Sequence, residues 1–573
     1  MLLSGLDDLF ITIVFLATRR RRFPWPSDAA LERAEERRIA VFVPLWREHR
    51  VIGQMLEHNL SLIHYSNYDV FVGVYPNDKL TERAVAEAAQ RDPRIHIAVC
   101  PHEGPTSKGD CLNWIYRRMT GYETRHRIRY EIILTHDAED LIHPESLRLI
   151  NWYSREHEMV QVPVLALPTP EWELTHGIYC DEFSETQTKD IPVRQRLGGF
   201  LPSSGVGTGF DRASLERLAA SRGGWIFDPE CLTEDYENGL RFHLMGLRQI
   251  FLPIVFDHRG PIATREYFPR TFRAAARQRS RWVAGIVLQG WQHHGWRVPP
   301  RQIYWLWRDR KGLVGSLLSP ITNLLSIYMA WAWRAGRLDF ERHIPVTLQR
   351  GCLAVAMISA LQMTVKAHCC ARVYGWRMAA LAPLRVLWAN QVNGLATASA
   401  LHQFGMARWR RQKLAWRKTD HAYPPHGGAG RSRPRLGEVL VRMRRLSRPE
   451  IDEALRMAPH GLRLGEHLVR SRKLTEEELY VALSAHAGIP LGRPRASEVS
   501  RPATRVLPEE VSRRWRVLPY RVAIGQVHLL TSDVPTEAMA RDLRSVCELE
   551  PRFRLVLPRD LDELLTEYLG SAV

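Results

Sequence analysis

The chain has 573 residues, 45% hydrophobic and 25% charged, with 80 Lys+Arg against 62 Asp+Glu for a formal net charge of +18. This balance is globular, so a disordered chain is excluded; 37 Gly and 35 Pro without a three-residue period exclude a collagen-like one. Three or four domains are expected at roughly 150 residues each, and eight cysteines with no CxxC spacing argue against a disulfide framework or zinc site and for a reducing, cytoplasm-facing chain.

Residues 9–17 (LFITIVFLA) are apolar, preceded by Asp7 and Asp8 and followed by Arg19–Arg22. A secretory leader places its positive charge before the apolar run, and a bilayer span needs about 20 apolar residues. Residues 1–22 are therefore expected to form a membrane anchor or interfacial segment, with a buried strand as the alternative. Residues 39–260, inside a domain placed at 39–300, read as α/β. IAVFVPLW, YDVFVGVYP, RIHIAVCP and EIILTHD are four apolar strands, and Ile52, Leu56 and Leu60 mark one of the helices between them. The alternation predicts a mostly parallel sheet. Ligands of such sheets sit at the carboxyl ends of strands, where Trp46–Glu48, Asp78 and Asp137–Asp140 should converge.

Residues 301–405 read as membrane and interfacial helices. Residues 312–333 (GLVGSLLSPITNLLSIYMAWAW), between Arg308, Arg310, Lys311 and Arg334, are long enough to span. Residues 346–368 form a second candidate, with Arg350 and Lys366 placed to snorkel. Residues 378–404 carry Arg385, Asn390, Gln391 and Asn393 and read as an interfacial or half-buried amphipathic helix. Two spans keep both flanking domains on one side; three would place residues 434–573 outside. A mean hydropathy of −0.26 excludes a chain made mostly of membrane helices. The linker 406–433 is basic: residues 405–433 hold eight Lys/Arg against one Asp. Following apolar segments, that run favours a membrane surface over nucleic acid. No helix-turn-helix, zinc-finger or RNP pattern is present, so no nucleic-acid partner is expected.

The last domain, 434–573, opens with an internal repeat. Arg435-Leu436-Gly437 recurs as Arg463-Leu464-Gly465, an offset of 28, and Leu440, Leu446, Ile451 and Leu455 recur as Leu468, Leu474, Leu479 and Leu483. Two copies make a paired helical module. Residues 506–570 then read as a small α/β unit with strands VHLLTS and RFRLVLP and a helix at 559–569. Leucines at these spacings pack helical hairpins. The Arg before each Leu-Gly can also fork onto a guanine edge or phosphate, with Gly admitting close backbone approach and Leu an apolar face for a base.

Three further motifs carry chemistry. Asp137-Ala138-Glu139-Asp140 follows a strand, and its hard carboxylate oxygens suit Mg²⁺ or Mn²⁺ sharing diphosphate oxygens. Thr233-Glu234-Asp235 opens a helix, where acids also suit the helix dipole. In Gln278-Arg279-Ser280-Arg281-Trp282, Arg281 can hold a diphosphate bidentately and Trp282 can stack on a sugar; the other reading is a lipid-facing basic helix.

In order the chain reads Pro44–Glu48, Asp78, Lys108…Asn113, Asp137–Asp140, Gly207-Thr208-Gly209, Thr233–Asp235 and Gln278–Trp282, and then membrane segments begin. Over roughly residues 39–405 this resembles the processive, membrane-embedded family 2 glycosyltransferases, and most of all their NfrB-like phage-adsorption-protein subgroup. The resemblance implies a GT-A nucleotide-sugar domain. Glu48 and Asp78 would contact uridine and Lys108 the diphosphate. Asp137 and Glu139 would form the DxD-type pair for sugar-nucleotide and metal; Glu139 replaces the commoner Asp, which leaves the direct ligand open between Glu139 and Asp140. Gly207, Thr208 and Gly209 would lie near the acceptor. Asp235, beside Glu234, would be the general base, with Gln278, Arg281 and Trp282 closing over diphosphate and acceptor. The repeat resembles the tandem cyclic di-GMP motif of MshE-type (type II secretion ATPase N-terminal) domains, with Ala458 and His486 where that motif has Gln. It implies a nucleotide site at Arg435, Leu436, Gly437, Leu440 and Leu446 and at Arg463, Leu464, Gly465, Leu468 and Leu474. Without a GxxxxGK[ST], no ATPase activity is expected.

The implied protein is a metal-dependent, inverting transferase of the bacterial inner membrane, catalytic and C-terminal domains cytoplasmic. It would move a sugar, first of all an N-acetylhexosamine, from a UDP-sugar to a polysaccharide or lipid-linked acceptor under control of cyclic di-GMP, with an export partner in the outer membrane. The rival reading is a non-catalytic membrane receptor or scaffold with a degenerate transferase domain and a protein-docking C-terminus.

Overall fold

The computed structural model describes residues 2–19, 23–221, 223–257, 260–337, 345–412, 423, 436–443, 445–457, 459, 462–487, 489–494, 499–523 and 526–569. The chain divides into two compact units, Met1–Val255 with Ile262–Tyr423, and Phe256–Pro261 with Pro424–Val573.

In the first unit the four expected strands are β1 (Ile39–Pro44), β2 (Tyr68–Val74), β3 (Ile95–Val99) and β4 (Ile132–Thr135). After them come β5 (Met159–Gln161), β6 (Val164–Ala166), β7 (Thr208–Asp211) and β8 (Gln249–Phe251). The main sheet has the order β3-β2-β1-β4-β7-β5-β8. β1 to β4 run parallel, β7 is antiparallel to both neighbours, and β5 is parallel to β8. β6 stands apart, paired in parallel with Thr264–Glu266. The continuous apolar runs of β1, β2 and β4 follow from burial on both faces. Alternate residues divide between two cores: Ile39, Val41, Val43, Val70, Val72, Ile132 and Leu134 enter one, and Ala40, Phe42, Phe71 and Ile133 the other.

Gly312–Arg334 and Val346–Tyr374 are single helices, and with the helix preceding the first they give two segments long and apolar enough to cross a membrane. The 23 residues of the first rise about 34 Å. Its inner Pro320 packs on Gly394, where an added methyl would stand 2.6 Å from Pro320 Cγ. The helix Ala382–Trp409 is half-buried, and its Arg385 is fully buried in a two-pronged pair with Asp181, both N–O distances 2.7 Å. At the N-terminus residues 9–17 lie inside a helix, Leu2–Thr18, rather than a strand. Leu3, Phe10 and Ile13 are exposed on it, while Asp7 is buried and takes hydrogen bonds from Tyr304 and Lys311, both 2.6 Å, and from Arg308.

The second unit begins with the repeat as two helical hairpins, Leu436–Arg442 with Arg448–Met457 and Leu464–Arg470 with Glu476–Ala487. A three-stranded sheet follows, with Val517–Ala523 antiparallel to Gln526–Thr531 and the latter parallel to Glu550–Leu555. Helices Glu537–Cys547 and Pro558–Leu569 complete it.

Candidate active site

The carboxyl ends of β1, β2 and β4 border a cavity of about 290 Å³. Glu48, Lys108, Asp137, Glu139, Glu234, Asp235, Gln278, Arg281 and Trp282 all line it. These nine residues come from segments more than 200 positions apart: Glu48, Lys108, Asp137 and Glu139 follow parallel strands that end on the same edge, and the helices Glu234–Leu244 and Phe272–Trp282 bring the other five.

Asp137 follows β4 and is held from below by Asp140, whose Oδ2 accepts the Asp137 N–H at 2.9 Å and lies 2.7 Å from His136 Nδ1. Asp140 is fully buried and faces inward, whereas Glu139 is on the cavity wall. Burial raises the Asp140 carboxyl, with His136 opposing the shift. Lys108 opens the helix Lys108–His126, which is capped by Ser107 accepting from the Asp110 N–H at 3.1 Å. Its ammonium lies 2.7 Å from Asp137 Oδ1 and donates to the Gly205 carbonyl at 3.3 Å. Burial alone would depress that ammonium; Asp137, Glu234 and Asp235 outweigh it and raise its pKa.

Glu234 and Asp235 begin the helix Glu234–Leu244. Asp235 Oδ1 accepts the Tyr236 N–H at 2.7 Å. Burial first, and then the charge of Asp235, push Glu234 up to about 8. Burial also raises Asp235, against the pull of Lys108 and Arg281. The two carboxyls therefore do not both ionise at neutral pH. Gly205, at φ 75°, makes room for them: a methyl group there would stand 2.5 Å from Asp235 Oδ2 and 3.2 Å from Lys108 Nζ.

The helix Phe272–Trp282, capped by Thr271, brings in the third set. Gln278 Oε1 is buried with no hydrogen-bond partner among the described residues. Trp282 meets Tyr179 and Phe183 edge-on, ring centres 6.2 and 6.5 Å apart. Arg279 is also buried and binds Glu182 and Asn393, both at 2.8 Å, which ties this helix to Leu174–Glu185 and to Ala382–Trp409. The next turns, Val283–Gln289, are wound as a π-helix, and Gly285 there lets the backbone close on Thr233.

Four expected site residues stand elsewhere. Asp78 caps the helix Lys79–Ala89 and accepts the Arg47 N–H, so it fastens the turn that carries Trp46 and Glu48 rather than forming the wall. Gly207, Thr208 and Gly209 lead into and start β7: Thr208 is fully buried and Gly209 abuts Ile150. The wall beside them is made by Pro202, Ser203, Ser204 and Val206. In the C-terminal unit Arg435 lies outside the described residues. Leu440, Leu446, Leu468 and Leu474 are buried in one core with Leu436 and Leu464 packed against it. Gly437 and Gly465 admit Ile451 and Leu479, atoms of which would lie 2.7 and 2.6 Å from an added methyl. Arg463 faces solvent, 76% exposed, 3.2 Å from Asp533.

Residues 36–285 match the model of a glycosyltransferase like family 2. Bacteriophage adsorption protein B of Escherichia coli (strain K12) is 34% identical over 568 residues, which cover 91% of this chain and 74% of that protein. The chain belongs to the bacteriophage adsorption protein B family. Bacteriophage N4 adsorption protein B of Escherichia coli O157:H7 gives the same figures. Residues 487–573 match the MshEN domain, and a structure of MshE with cdg is 26% identical over 24% of this chain and 99% of its own, with a TM-score of 0.22. The mannosyltransferase PcManGT from Pyrobaculum calidifontis, solved with GDP-Man and Mn²⁺, is 17% identical over 71% of this chain and 96% of its own, with a TM-score of 0.43.

The wall and the backbone behind it include residues that motif reasoning passed over. Gly205 had a weak signal, a glycine among several in SSGVGTG. Tyr75, Phe183 and Phe268 had none, because an aromatic residue in an apolar run looks the same in a core and in a cavity wall. Asp137 and Glu139 present hard oxygens to the cavity. Among the described residues no group of three His, Cys, Asp or Glu side chains could hold an ion alone. The donor set thus fits a divalent cation that takes its remaining ligands from a diphosphate and water.

Proposed function

We propose that the chain is a metal-dependent, inverting GT-A glycosyltransferase of the bacterial inner membrane. It transfers a sugar, an N-acetylhexosamine in the first instance, from a UDP-sugar to a polysaccharide or lipid-linked acceptor, and cyclic di-GMP regulates it. The observation that carries the reading is one cavity holding both a cation-and-diphosphate set (Asp137, Glu139, Lys108, Arg281) and a buried carboxyl pair (Glu234, Asp235). A scaffold has no chemical need for that combination.

A sugar hydroxyl is a poor nucleophile until its proton is taken during attack. Asp235 accepts that proton; its raised pKa makes it a stronger base than an exposed aspartate. Glu234, protonated at neutral pH, adds no competing charge. The hydroxyl attacks C1 from the side opposite the diphosphate, so the anomeric centre inverts and no covalent enzyme intermediate forms. Negative charge grows on the departing UDP, and Arg281 and Lys108 offset it. Mg²⁺ or Mn²⁺ held by Asp137 and Glu139 would supply Lewis-acid stabilisation of the same charge. Gln278 offers its buried carboxamide oxygen and Trp282 its ring to the acceptor side.

The helices Gly312–Arg334 and Val346–Tyr374 would cross the bilayer, leaving the catalytic and C-terminal domains on the cytoplasmic face. The MshEN match and the repeated Arg-Leu-Gly support cyclic di-GMP as the ligand of the second unit. The relatives' names speak of bacteriophage adsorption, an event at the cell surface, which suits a product displayed there; an export partner in the outer membrane completes the reading. UDP release by detergent-solubilised protein, measured over a panel of UDP-sugars with Mg²⁺ or Mn²⁺ and with or without cyclic di-GMP, tests the whole reading. Release from one donor, gated by the nucleotide, is expected. Silence across the panel from folded protein would transfer support to the scaffold.

A further inference from the structure

Tyr423 ends the first unit, within the segment that leads on to the second. It belongs to no helix or strand, yet it is only 8% exposed and lies in the apolar layer that holds Val41, Val72 and Leu134. Its ring meets His58 edge-on, centres 6.1 Å apart at 71°.

His58 and its neighbour Asn59 sit on the helix Ile52–Leu62. Asn59 is buried, and its carboxamide grips the acidic loop at two points. Nδ2 donates to the Asp140 carbonyl at 2.8 Å, and Oδ1 accepts the Ile142 N–H at 3.0 Å. Asp140 in turn holds the Asp137 N–H. The far side of the loop is tied to Arg265, Leu141 N–H to carbonyl at 2.8 Å and the reverse at 3.0 Å. Asp140 and Arg265 are also the charges that bear most on the Tyr423 phenol after its own burial. One side chain from the connecting segment thus stands behind the loop that carries Asp137 and Glu139.

We propose that Tyr423 is a positioning residue for the Asp137–Glu139 pair, wedging His58 so that Asn59 keeps the 137–142 loop in place. This rests on the transferase reading for its effect on turnover, but not for its effect on the loop. The phenol oxygen is buried with no hydrogen-bond partner among the described residues, so the ring and not the hydroxyl does the wedging.

The test compares full-length wild type, Tyr423→Ala and Tyr423→Phe without added nucleotide. Amide hydrogen exchange in 137–142 and 52–62 is expected to speed up by about tenfold in Tyr423→Ala, by local opening, and to stay at wild type in Tyr423→Phe. With Mn²⁺ and the donor identified by UDP release, Tyr423→Ala should lower kcat/KM for donor several-fold, because the Asp137–Glu139 pair serves both bound and departing diphosphate, and Tyr423→Phe should keep the wild-type value. Equal exchange in Tyr423→Ala and wild type, an unchanged kcat/KM in an active Tyr423→Ala, or equal losses in Tyr423→Ala and Tyr423→Phe, would overturn the proposal. Faster exchange in an inactive wild-type background would instead uphold the wedge and count against the transferase reading.

Discussion

At the scale of single residues, the proposed chemistry turns on the carboxyl pair Glu234–Asp235. Asp235→Asn keeps the shape of the side chain and removes the proton acceptor. Transfer is expected to fall by about 10²–10⁴-fold, the usual contribution of a general base, while UDP-sugar binding measured by calorimetry persists. Near-wild-type turnover would remove Asp235 from that role. Glu234 makes a separate prediction through pH. Its pKa is pushed up to about 8 by burial and by Asp235, so it is neutral at pH 7 and ionises as pH rises through 8. The new negative charge sits beside a diphosphate, so the wild-type KM for donor should climb above pH 8. Glu234→Gln matches the protonated acid and should hold KM flat over that range. An equal climb in the variant would assign the titration to another group. The sequence brought these residues forward only through the order of its motifs, because acids that open a helix are common where they suit its dipole. Asp78 has the same appearance and proves to be a helix cap, since only the fold shows whether such a carboxylate turns to the cavity or to a backbone N–H.

At the scale of elements, legibility followed the length and purity of the hydrophobic pattern. β1, β2 and β4 are continuous apolar runs because helices bury both faces, so they announce themselves. β5 and β8 have three residues each and carry no periodicity to read. Val517–Ala523 was missed because Pro519 and Arg521 interrupt the pattern, and the strand pairing is irregular at that point. Sheet order was not legible at all: β7 enters antiparallel between β4 and β5, which places Thr208 and Gly209 in the sheet and Pro202–Ser204 on the wall. The approach to β7 also gives a test. Gly205→Ala places a methyl group 2.5 Å from Asp235 Oδ2 in a backbone region that side chains avoid. Gly246→Ala brings similar backbone strain, at φ 74°, with nothing among the described residues within 4 Å of the added carbon. Both should lose stability by about 1–2 kcal/mol, read from denaturant midpoints. Only Gly205→Ala should lose turnover beyond about tenfold, the effect expected of a displaced catalytic group. Matching losses in the two variants would mean that Gly205 serves the fold and not the site.

At the scale of the whole molecule, the chain joins a unit that carries the family 2 glycosyltransferase match and two long apolar helices to a second unit with its own core. In the sequence the contrasts are of composition: an α/β region, two apolar windows, a basic linker and a repeat. The repeat shows where such reading stops. Its leucines and glycines were read as contacts for a nucleotide, yet Leu440, Leu446, Leu468 and Leu474 fill the hairpin core, and Gly437 and Gly465 make space for Ile451 and Leu479. Packing alone accounts for those six leucines and glycines, so they cannot decide whether a ligand binds. Arg463 can. It is exposed, and its pair with Asp533 is of the kind that contributes less than about 1 kcal/mol, so the fold does not explain an Arg there. Arg463→Ala should leave the melting temperature and the basal UDP release of the full chain unchanged. Its affinity for cyclic di-GMP, titrated by calorimetry, should fall by at least about tenfold, because a forked, charge-assisted contact to phosphate or guanine is lost. Unaltered affinity would reduce the Arg-Leu-Gly repeat to a packing motif, and the second unit would then need another ligand to have any bearing on the first.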